Sequence, residues 1–142
     1  MVNTYAANLS SSSLDNFVIP KDTKENMIIA QVHAYTPWNF ANGNSSSYNR
    51  YEIDNMFSQL NQYFVNKNIP VIIGEFGVKF TNENRNNAAT WANYYVSSAN
   101  KYNIKCYLWD DGKSFKLIDR EKLVVDDTAF LTNLMSPFSS NP

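Results

Sequence analysis

Apolar residues gather in three short continuous runs and two periodic stretches, and their alternation sets the expected architecture. "NMIIAQVHAY" (26–35) predicts a strand of about six residues centred on Ile28 and ending near His33. "IPVIIGEFG" (69–77) predicts a second buried strand and "IKCYLWDDG" (104–112) a third. Between the first two, "YEIDNMFSQLNQYFVNK" (51–67) spaces Ile53, Met56, Phe57, Leu60 and Phe64 by 3, 1, 3 and 4, which is one face of a helix. A second helix follows in "TNENRNNAATWANYYVSSANKY" (81–102), with Trp91, Tyr95 and Ala99 at i, i+4 and i+8, and "DDTAFLTNLM" (126–135) predicts a short last one. The polar stretches read as connections. "MVNTYAA" is the end of a strand leaving for a loop, "SSSS" (10–13) is loop, and Pro20 with Asp22 marks a turn. "TPWNFANGNSSSYNR" (36–50) is a long polar loop with embedded aromatics.

Strand and helix therefore alternate three times. Continuous apolar strands joined by helices are buried on both faces and predict parallel βα units, an α/β fold. No Gly-rich phosphate loop occurs, so a nucleotide-binding doubly wound sheet lacks its fingerprint. What recurs is polar or aromatic chemistry at each strand's C-terminal end: "HAY", "GEFG" and "WDDG". In a (β/α)8 barrel that edge is where catalytic groups stand. Glu75, a carboxylate closing an apolar run between Gly74 and Gly77, then stands where a barrel strand opens into a cleft.

Composition trims the alternatives. The 142 residues suffice for one domain and not two. Twelve Lys+Arg against thirteen Asp+Glu give a net charge of −1, which offers no electrostatic footprint for nucleic acid or anionic lipid. One cysteine, Cys106, excludes an internal disulfide and a thiolate zinc site, and one histidine, His33, leaves little for an imidazole cluster, so no metal or other cofactor is expected. No run of about 18 apolar residues predicts a membrane span, and the N-terminus lacks the basic start and apolar core of a signal peptide. Asn8-Leu9-Ser10 and Asn44-Ser45-Ser46 are glycosylation sequons, a pattern that arises readily by chance in an Asn- and Ser-rich chain.

Each candidate also has an ordinary reading. Glu75 could pair with a Lys or Arg of the following loop, and His33 could be a satisfied, half-buried histidine. His33 and Tyr35 project to the same side if the backbone stays extended. Trp109 could be core, as Trp91 is on its helix face. Asp110 and Asp111 could be turn formers before Gly112, the preferred reading for Asp111. Cys106 reads as an inert buried thiol.

"VHAYTPWNF", "PVIIGEFG" and "YLWDDG", in that order and at these separations, resemble the last third of glycoside hydrolase family 5, its endoglucanases above all; "NTYAAN" resembles the segment after the fifth barrel strand. The resemblance implies the C-terminal portion of a (β/α)8 barrel. Residues 1–26 would hold the end of strand 5 and a loop, 27–67 the sixth βα unit, 69–102 the seventh and 103–135 the eighth. It implies Glu75 as the nucleophile of a retaining glycosidase, with His33 and Tyr35 as its supporting pair. Trp109 would stack on the sugar next to the scissile bond, with Trp38 and Asn39 in a substrate-facing loop. The family commonly shows "WWDNG" where this chain has "LWDDG", so Leu108 and Asp111, the latter a candidate substrate contact, are departures.

The family's acid/base glutamate follows an Asn after the fourth strand. Glu25, Glu52, Glu83 and Glu121 sit on a helix or in loops here, and none follows an Asn at a strand end. A barrel ordinarily needs roughly 250 residues. The expectation is therefore a single partial catalytic domain, inactive by itself, that pairs with the missing N-terminal half or with itself. Its substrate would be a β-glucan polysaccharide met outside the cell. Two other readings remain: a carbohydrate-binding or scaffolding piece without catalysis, and a small doubly wound α/β protein without sugar function.

Overall fold

The computed structural model describes residues 1–24 and 27–139. Its centre is a parallel sheet of four strands in sequential order, β1 (Val2–Asn3), β2 (Ala30–His33), β3 (Val71–Phe76) and β4 (Lys105–Leu108). The order equals the chain order because each connection crosses over by a helix and returns beside its predecessor. Helix α1 (Ser11–Asp15) follows β1, α2 (Trp38–Ala41) and α3 (Arg50–Tyr63) follow β2, α4 (Arg85–Lys101) follows β3, and α5 (Thr128–Met135) closes the chain. A two-stranded antiparallel ribbon, β5 (Ile118–Asp119) with β6 (Val124–Val125), stands between β4 and α5.

One face of the sheet carries the core. Ala30 and Val32 of β2 and Val71, Ile73 and Phe76 of β3 are buried against Ile53, Met56, Phe57 and Leu60 of α3 and Trp91, Tyr95 and Ala99 of α4. The helical stripes predicted from spacing are thus the stripes that pack. Phe76 stacks on Tyr95 at 4.8 Å between ring centroids and Phe57 meets Tyr95 edge-on at 5.3 Å, geometries that aromatic quadrupoles favour. The opposite face carries Gln31, His33, Ile72 and Tyr107, and no helix among the described residues covers it. Tyr107 is 57% exposed there.

Several expectations need correcting. The first strand spans Ala30–His33 and is not centred on Ile28; of the residues before it, Ile29 still accepts the Val2 N–H at 2.9 Å, and Asn26 lies outside the described residues. "SSSS" is not loop: Ser10 caps α1, its Oγ accepting from the Ser13 N–H, the role that short hydroxyl side chains serve at helix starts. Residues 38–41 of the predicted polar loop form α2 around buried Phe40, after a cis Thr36–Pro37 bond. The ribbon β5–β6 had no signal in the apolar pattern. Asp110 organises it, accepting from the N–H groups of Gly112, Leu117 and Ile118 and pairing with Arg120 at 2.9 Å.

Candidate active site

The site begins with a fault in the sheet. Val71 and Ile73 point to the helices, so strict alternation would turn residue 75 toward the helices as well. Pairing instead shifts from Val32↔Ile73 to His33↔Glu75, leaving Gly74 as one extra residue in β3. That bulge re-aims the strand, as bulges do beside functional groups. Glu75 emerges on the uncovered face, directly across from His33, and Phe76 returns to the core.

Three side chains then converge. Tyr35 Oη donates to Glu75 Oε2 at 2.9 Å, and His33 Nδ1 lies 3.3 Å from the same oxygen. Gln31, two residues before His33 on the same face, places its amide nitrogen 3.2 Å from His33 Nε2. Its side chain lies across Gly74, where an added Cβ would stand 2.6 Å from Gln31 Cδ and Nε2. Glycine at 74 therefore serves this close approach. Gly77 serves a second one: a Cβ there would meet the Trp109 carbonyl at 3.3 Å, and the Trp109 N–H donates to the Phe76 carbonyl at 2.8 Å.

The Tyr35 segment is held from below by helix α4. The fully buried Tyr95 hydroxyl donates to the Ala34 carbonyl at 2.7 Å, and Trp91 Nε1–H donates to the Thr36 carbonyl at 3.0 Å. Both carbonyls flanking Tyr35 are thereby fixed, while the Ala34 N–H extends the ladder to the Glu75 carbonyl. Burial, then the hydrogen bond and charge of Glu75 together with the charge of Asp111, push the Tyr35 hydroxyl well above a tyrosine's ordinary range. That keeps it a protonated donor beyond the pH at which an ordinary tyrosine ionises.

The remaining candidates divide. Trp109, which follows β4 and sets its backbone against Phe76 and Gly77, is 43% exposed and is not core. Trp38, 59% exposed, and Asn39 line a separate cleft of about 570 Å³ with Ser47, Tyr48 and Glu52. Asp111 turns its Oδ1 to the N–H groups of Lys113 and Phe115, which hold its carboxyl below the ordinary range, Lys113 first. The turn-former reading thus describes its present contacts. Cys106 is half-buried, and burial pushes its thiol up to about 12, so it is no nucleophile. Glu52, Glu83 and Glu121 are exposed on helix or loop, and Glu25 lies outside the described residues. Gln31 escaped the sequence reading, although the two-residue period placing Tyr35 beside His33 also places Gln31 there.

A parallel sheet whose C-terminal edge presents a carboxylate held by a tyrosine hydroxyl, with a histidine ring beside it, fits the class of (β/α)-barrel enzymes that work from that edge. The chain belongs to glycoside hydrolase family 5: the family model described as Cellulase (glycosyl hydrolase family 5) matches residues 1–114. It is 36% identical over 136 residues to Endoglucanase B of Neocallimastix patriciarum, covering 88% of this chain and 28% of that one. With Endoglucanase A of Clostridium longisporum it shares 37% identity over 138 residues, 87% of this chain and 26% of that one. Its fold superposes on a GH5-4 broad-specificity endoglucanase from Ruminococcus champanellensis with bound cellotriose, at a TM-score of 0.87, 34% identity, and coverage of 94% of this chain and 42% of that chain. The chain thus spans about a quarter of the length of these curated relatives.

Proposed function

We propose that the chain carries the nucleophile side of a retaining endo-β-1,4-glucanase site, with β2, β3 and β4 as the sixth, seventh and eighth strands of a (β/α)8 barrel. The carrying observation is that Tyr35 and His33 both engage Oε2 of Glu75, while among the described residues no hydrogen bond engages Oε1. Oε2 is held and Oε1 is left to attack.

In double displacement, Oε1 bonds to the anomeric carbon as the glycosidic C–O bond breaks, and a carboxylic acid about 5–5.5 Å away protonates the leaving oxygen. Water then hydrolyses the glycosyl–enzyme ester, giving its proton to that same group. Trp109 provides the apolar platform a pyranose C–H face prefers. Trp38, Asn39 and Asp111 would contact sugars farther from the bond that breaks. The proton donor comes from outside the described residues, either from other barrel strands or from a second chain. The uncovered sheet face and the unpaired outer edges of β1 and β4 are where such strands would add. The chain alone is accordingly proposed to be inactive. The substrate is a soluble or solid β-1,4-glucan, and a polymer of that size implies an enzyme secreted to meet it.

A binding module without catalysis has no use for an ionised carboxylate braced by a tyrosine hydroxyl, and this favours the catalytic reading. The test is reducing-sugar release from β-glucan by protein in which the other barrel strands are supplied. Glu75→Gln is expected to lower it by about 10⁴-fold or more. Undiminished release by this variant would remove Glu75 from the chemistry.

A further inference from the structure

We propose that Gln31 is a positioning residue that selects the tautomer of His33, so that the ring presents an N–H to Glu75. The argument needs no assumption about which way the Gln31 amide points. A carboxylate only accepts hydrogen bonds. His33 Nδ1 lies 3.3 Å from Glu75 Oε2, an approach that is attractive only with a proton on Nδ1. A neutral imidazole with a proton on Nδ1 has a bare lone pair on Nε2, and that lone pair needs a donor. The Gln31 side-chain nitrogen sits 3.2 Å from it. The relay therefore runs in one direction: amide N–H to Nε2, ring Nδ1–H to carboxylate.

Two features of the backbone hold the relay. Gln31 and His33 share the uncovered face of β2, two residues apart, so the amide meets the ring without bending the strand. Gly74, the bulge residue across from them, leaves the space that the Gln31 side chain fills. The bulge that turns Glu75 outward thus also seats the group orienting its histidine. A neutral ring in this tautomer gives the carboxylate a hydrogen bond without a full positive charge beside it. The consequence for catalysis rests on Glu75 being the nucleophile; the tautomer assignment does not.

His33 is the chain's one histidine, so its ring nitrogens can be read without assignment ambiguity. The experiment is a long-range ¹⁵N–¹H correlation spectrum of the full chain, uniformly labelled, at a pH where the ring is neutral. We expect a pyrrole-like Nδ1 and a pyridine-like Nε2. Gln31→Glu substitutes an acceptor of the same shape, which leaves the ring between two carboxylates, and Nε2 is expected to take up a proton and lose its pyridine-like shift. Gly74→Ala leaves Gln31 in the chain but displaces its flexible end, and the two nitrogens are expected to move toward the averaged shifts of exchanging tautomers. A wild-type Nε2–H ring, or an Nε2 left pyridine-like in both variants with the fold intact by circular dichroism, would overturn the proposal. If the tautomer is as stated while Glu75→Gln keeps its activity, the relay stands and the nucleophile assignment alone fails.

Discussion

At the scale of single residues, Tyr35 is the most exposed point of the account. Its hydroxyl spends its proton on Glu75, and a hydrogen bond to a charged group contributes about 1.5–3 kcal/mol. Tyr35→Phe is therefore expected to cost about 10- to 100-fold in kcat/KM, with the fold retained because the ring still meets Phe115 edge-on at 5.5 Å. Because burial and Glu75 push the hydroxyl's ionisation far upward, the wild-type pH–rate profile should contain no limb that Tyr35→Phe removes. Steady-state kinetics across pH checks both. Glu75 at the end of an apolar run, and His33 and Tyr35 on one side of the chain, could be read in the letters; that the three belong together came only from the family resemblance. Gln31 was not singled out, because a polar residue within a strand announces no partner until the neighbouring strand's glycine is seen beneath it. The bulge at Gly74 was equally hidden: register belongs to two strands at once and is not written in either.

At the scale of elements, α4 does more than cover the sheet. Tyr95 and Trp91 reach up from it to the carbonyls either side of Tyr35. Tyr95→Phe leaves the Ala34 carbonyl without that donor in a buried setting, which costs about 1–3 kcal/mol and should lower the urea midpoint without changing the m-value. The ribbon after β4 depends instead on one carboxylate. Burial of Asp110 opposes its ionisation. The N–H groups of Ile118, Leu117 and Gly112, with Arg120, outweigh that and bring its carboxyl below the ordinary value of 3.8. A group with a lowered folded value adds stability that is complete above its unfolded value and is lost as the pH falls through the folded one. The ribbon's contribution should be full above about pH 4 and fade below it, and Asp110→Asn should flatten that part of a stability–pH curve measured by urea unfolding. Helices α3 and α4 were readable because long periodic stripes accumulate signal. Helices α1 and α2, of five and four residues, carry too few turns for a stripe to show and depend on a cap or on one buried side chain.

At the scale of the whole molecule, sequential parallel strands, helices on one face and an uncovered opposite face follow from one cause. The helix-facing side chains are apolar in every strand, while the other face carries Gln31, His33, Ile72, Tyr107 and the re-aimed Glu75. The βα alternation made the sequential parallel strands legible in advance; it implied strands buried on both faces, and the uncovered face was expected only from the resemblance to part of a barrel. The separation of the Trp38 and Asn39 cleft from the Glu75 group was not, because loop residues adjacent in sequence diverge once a short helix intervenes. The central claim is that Glu75 becomes covalently attached to sugar during turnover. Its most direct test is mass spectrometry of peptides from protein that releases sugar from β-glucan, after exposure to a 2-deoxy-2-fluoro cellobioside bearing a dinitrophenolate leaving group. That leaving group departs without protonation, so trapping does not depend on the acid carboxyl. The account predicts one added fluorosugar on the peptide containing Glu75. A label on another carboxylate, or hydrolysis that inverts the anomeric centre, would contradict it.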